Sequence, residues 1–292
     1  MNITSKTKAL GIFGHPISHT LSPVMHNAVI KALGLDMAYL PFEVKPSNLK
    51  EAINGIKSLG IIGVNITIPH KESVIRFLDD ISEEARLVGA VNTIVYKDRK
   101  LVGYNTDGSG YMASLKEELG FNPKSKRIII IGAGGAARGI LAALATQKPK
   151  SITVANRTLS RAVSLIKTFK GKFRDTRFEA IDLDNNMLKM SFNSVDLLIN
   201  TTSVGMKQSK ALKIPLETLP KIAIVSDIIY NPLETLLLKK AKKIGLTTHG
   251  GLGMLVHQGA RSFKLWTGMD APMNVMRKAA LKALKMEVGS RK

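Results

Sequence analysis

The stretch RIIIIGAGGAARGILAAL, residues 127–144, decides the fold. An arginine and four isoleucines lead into Gly132-x-Gly134-x-x-Ala137, and helix formers follow. The order is strand, glycine turn, helix, the G/A form of the dinucleotide-binding fingerprint. The first glycine makes the tight turn. The second lets backbone approach a pyrophosphate, and a small third residue lets the helix pack on the strand. The pyrophosphate then meets the free N–H groups and positive end of the helix. A bare glycine pattern is also met as a purely structural turn; the isoleucine strand before it and the helix after it favour a dinucleotide.

The next segment, SITVANRTLSR (151–161), reads as the second strand of that unit and the start of its helix. Asn156 stands 24 positions after Gly132, where an NAD site carries an acid for the ribose hydroxyls. Arg157 has the opposite preference: a guanidinium holds a phosphate bidentately and stacks on adenine. Thr158 is placed to cap the following helix or to donate to the same phosphate, and Arg161 lies one turn on. The two arginines read otherwise as surface charge. The expected cofactor is NADP rather than NAD.

Outward from this core, strand-like runs alternate with helical patterns along the whole chain. Strands are expected at 9–14, 38–44, 61–68, 127–133, 151–156, 195–200 and 223–229, and helices at 22–34 and 231–245. Such alternation predicts α/β architecture with mainly parallel sheets. The glycine turn comes late, so residues 1–107 are expected to form a separate α/β domain and 108–250 the Rossmann domain. The pattern after Gly250 is helical, and residues 251–292 are expected to complete the first domain, with EVGSRK frayed at the end.

Composition narrows the function classes. Forty-three basic against 22 acidic residues give a net charge of +21, which can mark a nucleic-acid binder. The basic residues are scattered, however, and aromatics are only 5%, too few for a base-stacking platform, so no nucleic-acid partner is expected. No apolar run approaches the roughly 18 residues of a membrane helix, and the first residues show no secretory signal pattern. A cytoplasmic protein with no membrane partner is expected. The absence of cysteine excludes disulfides and thiol chemistry, and the six histidines show no metal-ligand spacing.

The first hundred residues hold polar groups at strand and helix ends. In HTLSPVMHN (19–27), Ser22 is placed as an N-cap with Pro23 at the first helical position. The same hydroxyls, Thr20 and Ser22, would also seat a carboxylate. In IIGVNITIPHK (61–71), alternation puts Ile62, Val64, Ile66 and Ile68 on one face and Gly63, Asn65 and Thr67 on the other. Asn65 and Thr67 near the strand's carboxyl end suit a ligand site. Pro69 is expected to open a helix, with Lys71 in its first turn. A cation there opposes the helix dipole at about 0.3–1 kcal/mol. That field lowers a lysine pKa from about 10.4, which suits acid–base work; by position alone, an ill-placed surface lysine reads equally well. GAVNTI (89–94) and GYNTDG (103–108) add Asn92, Asn105, Thr106 and Asp107. Asp107 is either a plain helix cap or a carboxylate partner for Lys71.

Nine motifs now stand in order: HTLSPVMHN, GVNITIPHK, GAVNTI, GYNTDG, IGAGGAARG, NRTLSRA, INTTSVGM, DIIYNPLET and GGLGMLVHQG. Together, across nearly the whole chain, they resemble the shikimate/quinate dehydrogenase family. The resemblance implies an NADP-dependent oxidoreductase of aromatic amino-acid biosynthesis, with a substrate domain and a Rossmann domain separated by a deep cleft. It implies Lys71 and Asp107 as the catalytic pair, and Thr20, Ser22, Thr67, Asn92, Tyr230 and Gln258 as further shikimate-binding residues. It assigns Gly132, Ala133, Gly134, Gly135, Ala136, Asn156, Arg157, Thr158 and Arg161 to NADP. Ile228 and Gly251 would line its nicotinamide end, and Glu83 would be a weaker contact. On the residues alone, Tyr230 reads equally as the close of a strand, with Asn231 capping the next helix and Pro232 in its first position, and Gln258 as ordinary helix surface. The family's usual S-x-S-P is here Thr20-x-Ser22-Pro23, and the extra methyl leaves the choice between shikimate and quinate open. A homodimer is the assembly allowed for.

Overall fold

A computed structural model describes residues 3–207 and 212–289. The backbone divides into two compact units: the chain up to Gly110 together with the segment from Val256, and Tyr111–Leu255.

The first unit carries β1 (Lys8–Gly14), α1 (Ser22–Ala32), β2 (Met37–Glu43), α2 (Leu49–Ser58), β3 (Gly63–Ile66), β4 (Asp80–Ile81), α3 (Glu83–Val88), β5 (Thr93–Lys97) and β6 (Lys100–Tyr104). Its sheet has the order β2-β1-β3-β5-β6-β4. β1 runs parallel to β2 and β3, and β5 is antiparallel to β3 and β6. This arrangement brings the carboxyl ends of β1, β3 and β6 and the amino end of β5 to one edge of the unit. Phe13, Val64, Ile66 and Ile94 of the strands pack with Ile53 and Ile56 of α2. A helix of the second half of the chain belongs to this unit too, where Trp266 Nε1 donates to the carbonyl of Ile94 at 2.9 Å.

α4 (Asp107–Leu119) leads into the second unit, which carries β7 (Arg127–Ile131), α5 (Gly135–Ala145), β8 (Ser151–Asn156), α6 (Leu159–Lys170), β9 (Arg177–Asp182), α7 (Asn185–Phe192), β10 (Leu197–Asn200), β11 (Val204–Lys207), β12 (Ile224–Asp227), α8 (Leu236–Lys243) and β13 (Thr247–His249). Six of these strands form a wholly parallel sheet of order β13-β12-β10-β7-β8-β9. Numbered within the unit this is 6-5-4-1-2-3, the doubly wound dinucleotide-binding order. Ile128–Ile131 are all buried, as both-face coverage of a central parallel strand requires. The chain leaves this unit within α9 (Gly251–Thr267) and ends in α10 (Met273–Gly289). The passages between units thus fall inside helices α4 and α9 rather than at the turns near 107 and 250. Of the EVGSRK stretch expected to fray, residues 290–292 lie outside the described residues.

Several local expectations are corrected. Ser22 is the first helical residue of α1, not its cap; Leu21 takes the cap position with no side-chain bond. The Ser22 N–H turns back instead to Thr20 Oγ1 at 3.3 Å. No α-helix opens at Pro69. The chain turns there, the His70 N–H closing on the Thr67 carbonyl at 2.9 Å, and only a short 3-10 helix follows at Ser73–Phe77. The dipole invoked for Lys71 is therefore not present. β3 stops at Ile66, so Ile68 is 62% exposed rather than in the core. The helix expected from Asn231 starts at Leu236, because Thr235 supplies the capping oxygen, accepting from the Leu238 N–H. Among the described residues no helix is long and apolar enough to cross a membrane.

Candidate active site

In the first unit the chemistry gathers where β1, β3 and β6 end and β5 begins. Lys71, in the turn after β3, places Nζ 2.5 Å from Asp107 Oδ2 at the start of α4. The side chains are 15% and 5% exposed, so this ion pair is largely withdrawn from water. A charge so placed needs its remaining lone pairs bonded. Asn92, just before β5, supplies that bond: its Nδ2 donates to Asp107 Oδ1 at 2.9 Å and to Thr106 Oγ1 at 2.9 Å. Its Oδ1 accepts from the Thr106 N–H at 2.8 Å. From α9, Gln258 Oε1 comes within 3.4 Å of Asn92 Nδ2. Four of the expected residues, Lys71, Asn92, Asp107 and Gln258, are thus one bonded cluster. Asp107 is the first residue of α4; its N–H donates to Asn105 Oδ1 at 3.1 Å, and its carboxylate bonds Lys71 and Asn92.

Thr20 and Ser22 form a second group, the Thr20 hydroxyl donating to Ser22 Oγ at 3.2 Å. Because the helix start does not use Ser22 Oγ, both oxygens stay beside the N-terminus of α1. Thr67 lies against Gly14, where a Cβ would overlap its methyl. Asn65 does not belong to the site. It is buried, accepts from Tyr39 OH at 2.7 Å, and donates to Ser262 Oγ, Thr93 Oγ1 and the Asn92 carbonyl. Burial pushes the Tyr39 phenol well up from its ordinary value. Glu83 is exposed at the first turn of α3.

In the second unit Gly132 follows β7 with φ +109°, and a Cβ there would strike Thr201 Oγ1 at 2.6 Å. Only glycine fits that turn. Gly134 differs: its φ is −96°, and a Cβ would meet nothing within 4 Å. The protein itself makes no demand for glycine there. The open space lies at the N-terminus of α5, whose first turn holds no acidic residue and whose cap has no side-chain bond. Such a cradle fits the pyrophosphate of a dinucleotide. At the end of β8, Asn156 Nδ2 bonds the Thr158 carbonyl at 2.9 Å. Thr158 sits at the cap position of α6 but its hydroxyl caps nothing. Arg157 and Arg161 are exposed, in no ion pair among the described residues. Two cations and a free hydroxyl fit a 2′-phosphate.

Ile228 and Tyr230 follow β12, on either side of Ile229, whose N–H is held by the strand's last residue. Asp227 accepts from Asn200 Nδ2 (3.0 Å), the Ile229 N–H (3.1 Å) and Thr235 Oγ1 (2.7 Å). Burial pushes this carboxyl up to about 6, the three donors opposing it. Gly251 lies against Ile228, where a Cβ would overlap the Ile228 carbonyl. Those two expected residues are neighbours.

Comparison with known proteins gives the family. Residues 12–94 match the shikimate dehydrogenase substrate binding domain, 114–228 match shikimate / quinate 5-dehydrogenase, and 251–281 match the shikimate 5'-dehydrogenase C-terminal domain. A shikimate dehydrogenase (NADP(+)) of Geobacter metallireducens is 46% identical over 285 residues, covering 98% of this chain and all of that protein. The chain belongs to the shikimate dehydrogenase family. Among solved structures, a shikimate dehydrogenase in complex with NADP+ superposes with TM-score 0.89 at 44% identity, covering 97% of this chain and 98% of the other. The Thermus thermophilus enzyme in complex with NADP(H) and shikimate gives 0.83 at 34%, covering 94% and 99%.

The dehydrogenase motifs did not disclose every residue that builds the cluster. Thr106 was visible in NTDG but not its bond to Asn92. Gly110 and Ser262 were missed, since their partners lie some 150 residues away in sequence. The available signal was spacing: Gly110 lies one turn after Asp107 and Ser262 one turn after Gln258.

Proposed function

We propose that this chain is an NADP-dependent shikimate dehydrogenase, reversibly reducing 3-dehydroshikimate to shikimate in the biosynthesis of chorismate and the aromatic amino acids. The observation that carries the reading is the withdrawn Lys71–Asp107 pair, tied into Asn92 and Gln258. Bound NADPH supplies the hydride. Lys71 Nζ hands a proton to the carbonyl oxygen of the substrate as that oxygen becomes a hydroxyl, and takes it back in the oxidative direction. Until then its positive charge favours the developing alkoxide. Asp107 holds Lys71 in place and is itself held by Asn92.

Thr20 and Ser22 bind the substrate carboxylate at the N-terminus of α1; Thr67, Asn92, Tyr230 and Gln258 bind its hydroxyls. The α5 turn from Gly132 to Ala136 takes the pyrophosphate, and Asn156, Arg157, Thr158 and Arg161 take the adenosine 2′-phosphate. Ile228 and Gly251 line the nicotinamide end, and Glu83 is a peripheral cofactor contact. We place the enzyme in the cytoplasm, since a chain without cysteine draws nothing from an oxidising compartment. A homodimer would use the free edge of β2, the last strand of its sheet, where Leu40 is exposed.

The Thr20 methyl favours one second reading, a quinate/shikimate dehydrogenase. An absorbance assay at 340 nm crossing shikimate and quinate with NADP and NAD decides. The expected result is the highest kcat/KM for shikimate with NADP. Comparable values for quinate select the broader enzyme, and no turnover of either acid refutes both.

A further inference from the structure

We propose that Gly110 is a positioning residue for substrate binding. It is the residue that lets α9 approach α4 closely enough for Gln258 to reach Asn92. The inference rests on the substrate-binding role given to Gln258 above.

Gly110 lies in the first turns of α4, on the helix that Asp107 opens. Its φ is not in the left-handed region, so its backbone makes no demand for glycine. The demand comes from across the contact. A Cβ at this position would lie 2.8 Å from both the Cβ and the backbone nitrogen of Gln258, and 3.0 Å from its Cα. Two of these three atoms are main chain, so no rotamer change relieves the overlap. α9 would have to withdraw by about 0.7 Å or more to restore ordinary contact near 3.5 Å.

That displacement is large against the tolerances of the cluster. Gln258 Oε1 stands 3.4 Å from Asn92 Nδ2, already at the outer limit of a hydrogen bond. The Gln258 carbonyl accepts from Thr106 Oγ1 at 3.1 Å, and from Ser262 Oγ at 3.0 Å. Ser262 moves with the same helix and preserves its bond on withdrawal. The contacts of Thr106 and Asn92 with Gln258 do not move with it, nor do those of Thr93 and Asn65 with Ser262, but at 2.7 and 3.0 Å the latter start well inside bonding distance while the Gln258–Asn92 contact starts at its limit. A methyl at residue 110 therefore separates Gln258 from Asn92 while leaving the Lys71–Asp107 contact one turn away. The consequence is a loss of binding rather than of proton transfer.

The test is steady-state kinetics on Gly110→Ala, Gln258→Ala and the double variant, with kcat followed across pH. Gly110→Ala should raise KM for shikimate about tenfold, as for one lost hydrogen bond. KM for NADP and the pH dependence of kcat should keep their wild-type values. In the Gln258→Ala enzyme the amide is already gone, so adding Gly110→Ala should raise KM no further. Multiplying effects in the double variant, or a shifted pH profile, would overturn the proposal in favour of general damage to α4. An unchanged KM in Gly110→Ala overturns it while leaving the role of Gln258 intact. An unchanged KM in Gln258→Ala overturns both.

Discussion

The candidate substrate residues and the candidate cofactor residues are built in opposite ways. In the first unit Lys71, Asn92, Thr106, Asp107 and Gln258 are bonded to one another, with little of the ion pair in contact with water. In the second unit Gly134 faces open space, Arg157 and Arg161 are exposed, and Thr158 caps nothing. The contrast follows from the ligands. A small ring acid bearing hydroxyls must be oriented for chemistry at one carbon, which asks for side chains already fixed. A nucleotide polyphosphate carries its own charge, so backbone N–H groups and free cations suffice to hold it. Residues of the closed cluster should therefore act as a unit, and those of the open site one by one.

The largest effect breaks or confirms that unity. Lys71→Ala should lower kcat by about 10²–10⁴-fold, with a much smaller change in KM for shikimate. Asp107→Asn should approach the same loss, because it removes the anion that holds Nζ. The double variant should fall no further than the worse single one, which single-turnover rates would show. Losses that multiply would mean that the two side chains work independently, and the bonded cluster would be incidental to the reaction. Unchanged turnover in Lys71→Ala alone would remove it from proton transfer.

How much of this was legible differs between the two regions. The elements of the open region could be read almost completely, because they are set locally: strand, Gly132, Gly134 and helix within one stretch, then Asn156 and Arg157 at the end of the next strand. The closed cluster was legible only through whole motifs. Local chemistry misled there. Ser22 reads as a cap, yet it is the first residue of the helix: its N–H goes to Thr20 Oγ1 and its hydroxyl accepts from the same side chain. Pro69 looked like a helix start, yet the chain made a turn, and Lys71 owes its setting to Asp107 rather than to a dipole. Asn65 looked like a ligand residue by strand alternation, but Tyr39, Thr93 and Ser262 use it up. Those partners come from distant segments, which periodicity does not pair.

A smaller effect sharpens the other half of the comparison. Arg157→Ala should weaken NADP about tenfold to hundredfold, as for a lost charge-assisted phosphate contact. NAD should weaken little, so the preference between the two cofactors narrows. Arg161→Ala should add its own loss independently, since no bond joins the two arginines. Fluorescence titration with each dinucleotide reads both. Equal weakening of NADP and NAD by Arg157→Ala would move that side chain from the 2′-phosphate to the adenine.

The smallest effect concerns stability, and here too the units differ. Each buries a histidine. His26 of the first unit stacks on Tyr39 at 4.4 Å, near Trp266, and neither ring nitrogen has a hydrogen-bond partner. His249 of the second unit contacts Ser114 Oγ and Ser226 Oγ, each at 2.9 Å. Burial lowers the two rings to about 3 and about 4 from an ordinary 6.5. Below pH 6.5 the unfolded chain takes up protons that the folded chain refuses, so stability rises with pH across that window and is lost on acidification. At pH 5.5 each ring accounts for about 1.4 kcal/mol of the loss relative to neutral pH. His26→Phe removes its share while stranding no partner, so the stability lost between pH 7.5 and 5.5 should shrink by about that amount in urea unfolding. His249→Phe also removes one share, but it leaves the Ser114 and Ser226 hydroxyls without their imidazole and costs stability at both pH values. A full acid loss retained in His26→Phe would show that the ring takes up its proton inside the fold, against a stack of aromatic faces that offers it no acceptor.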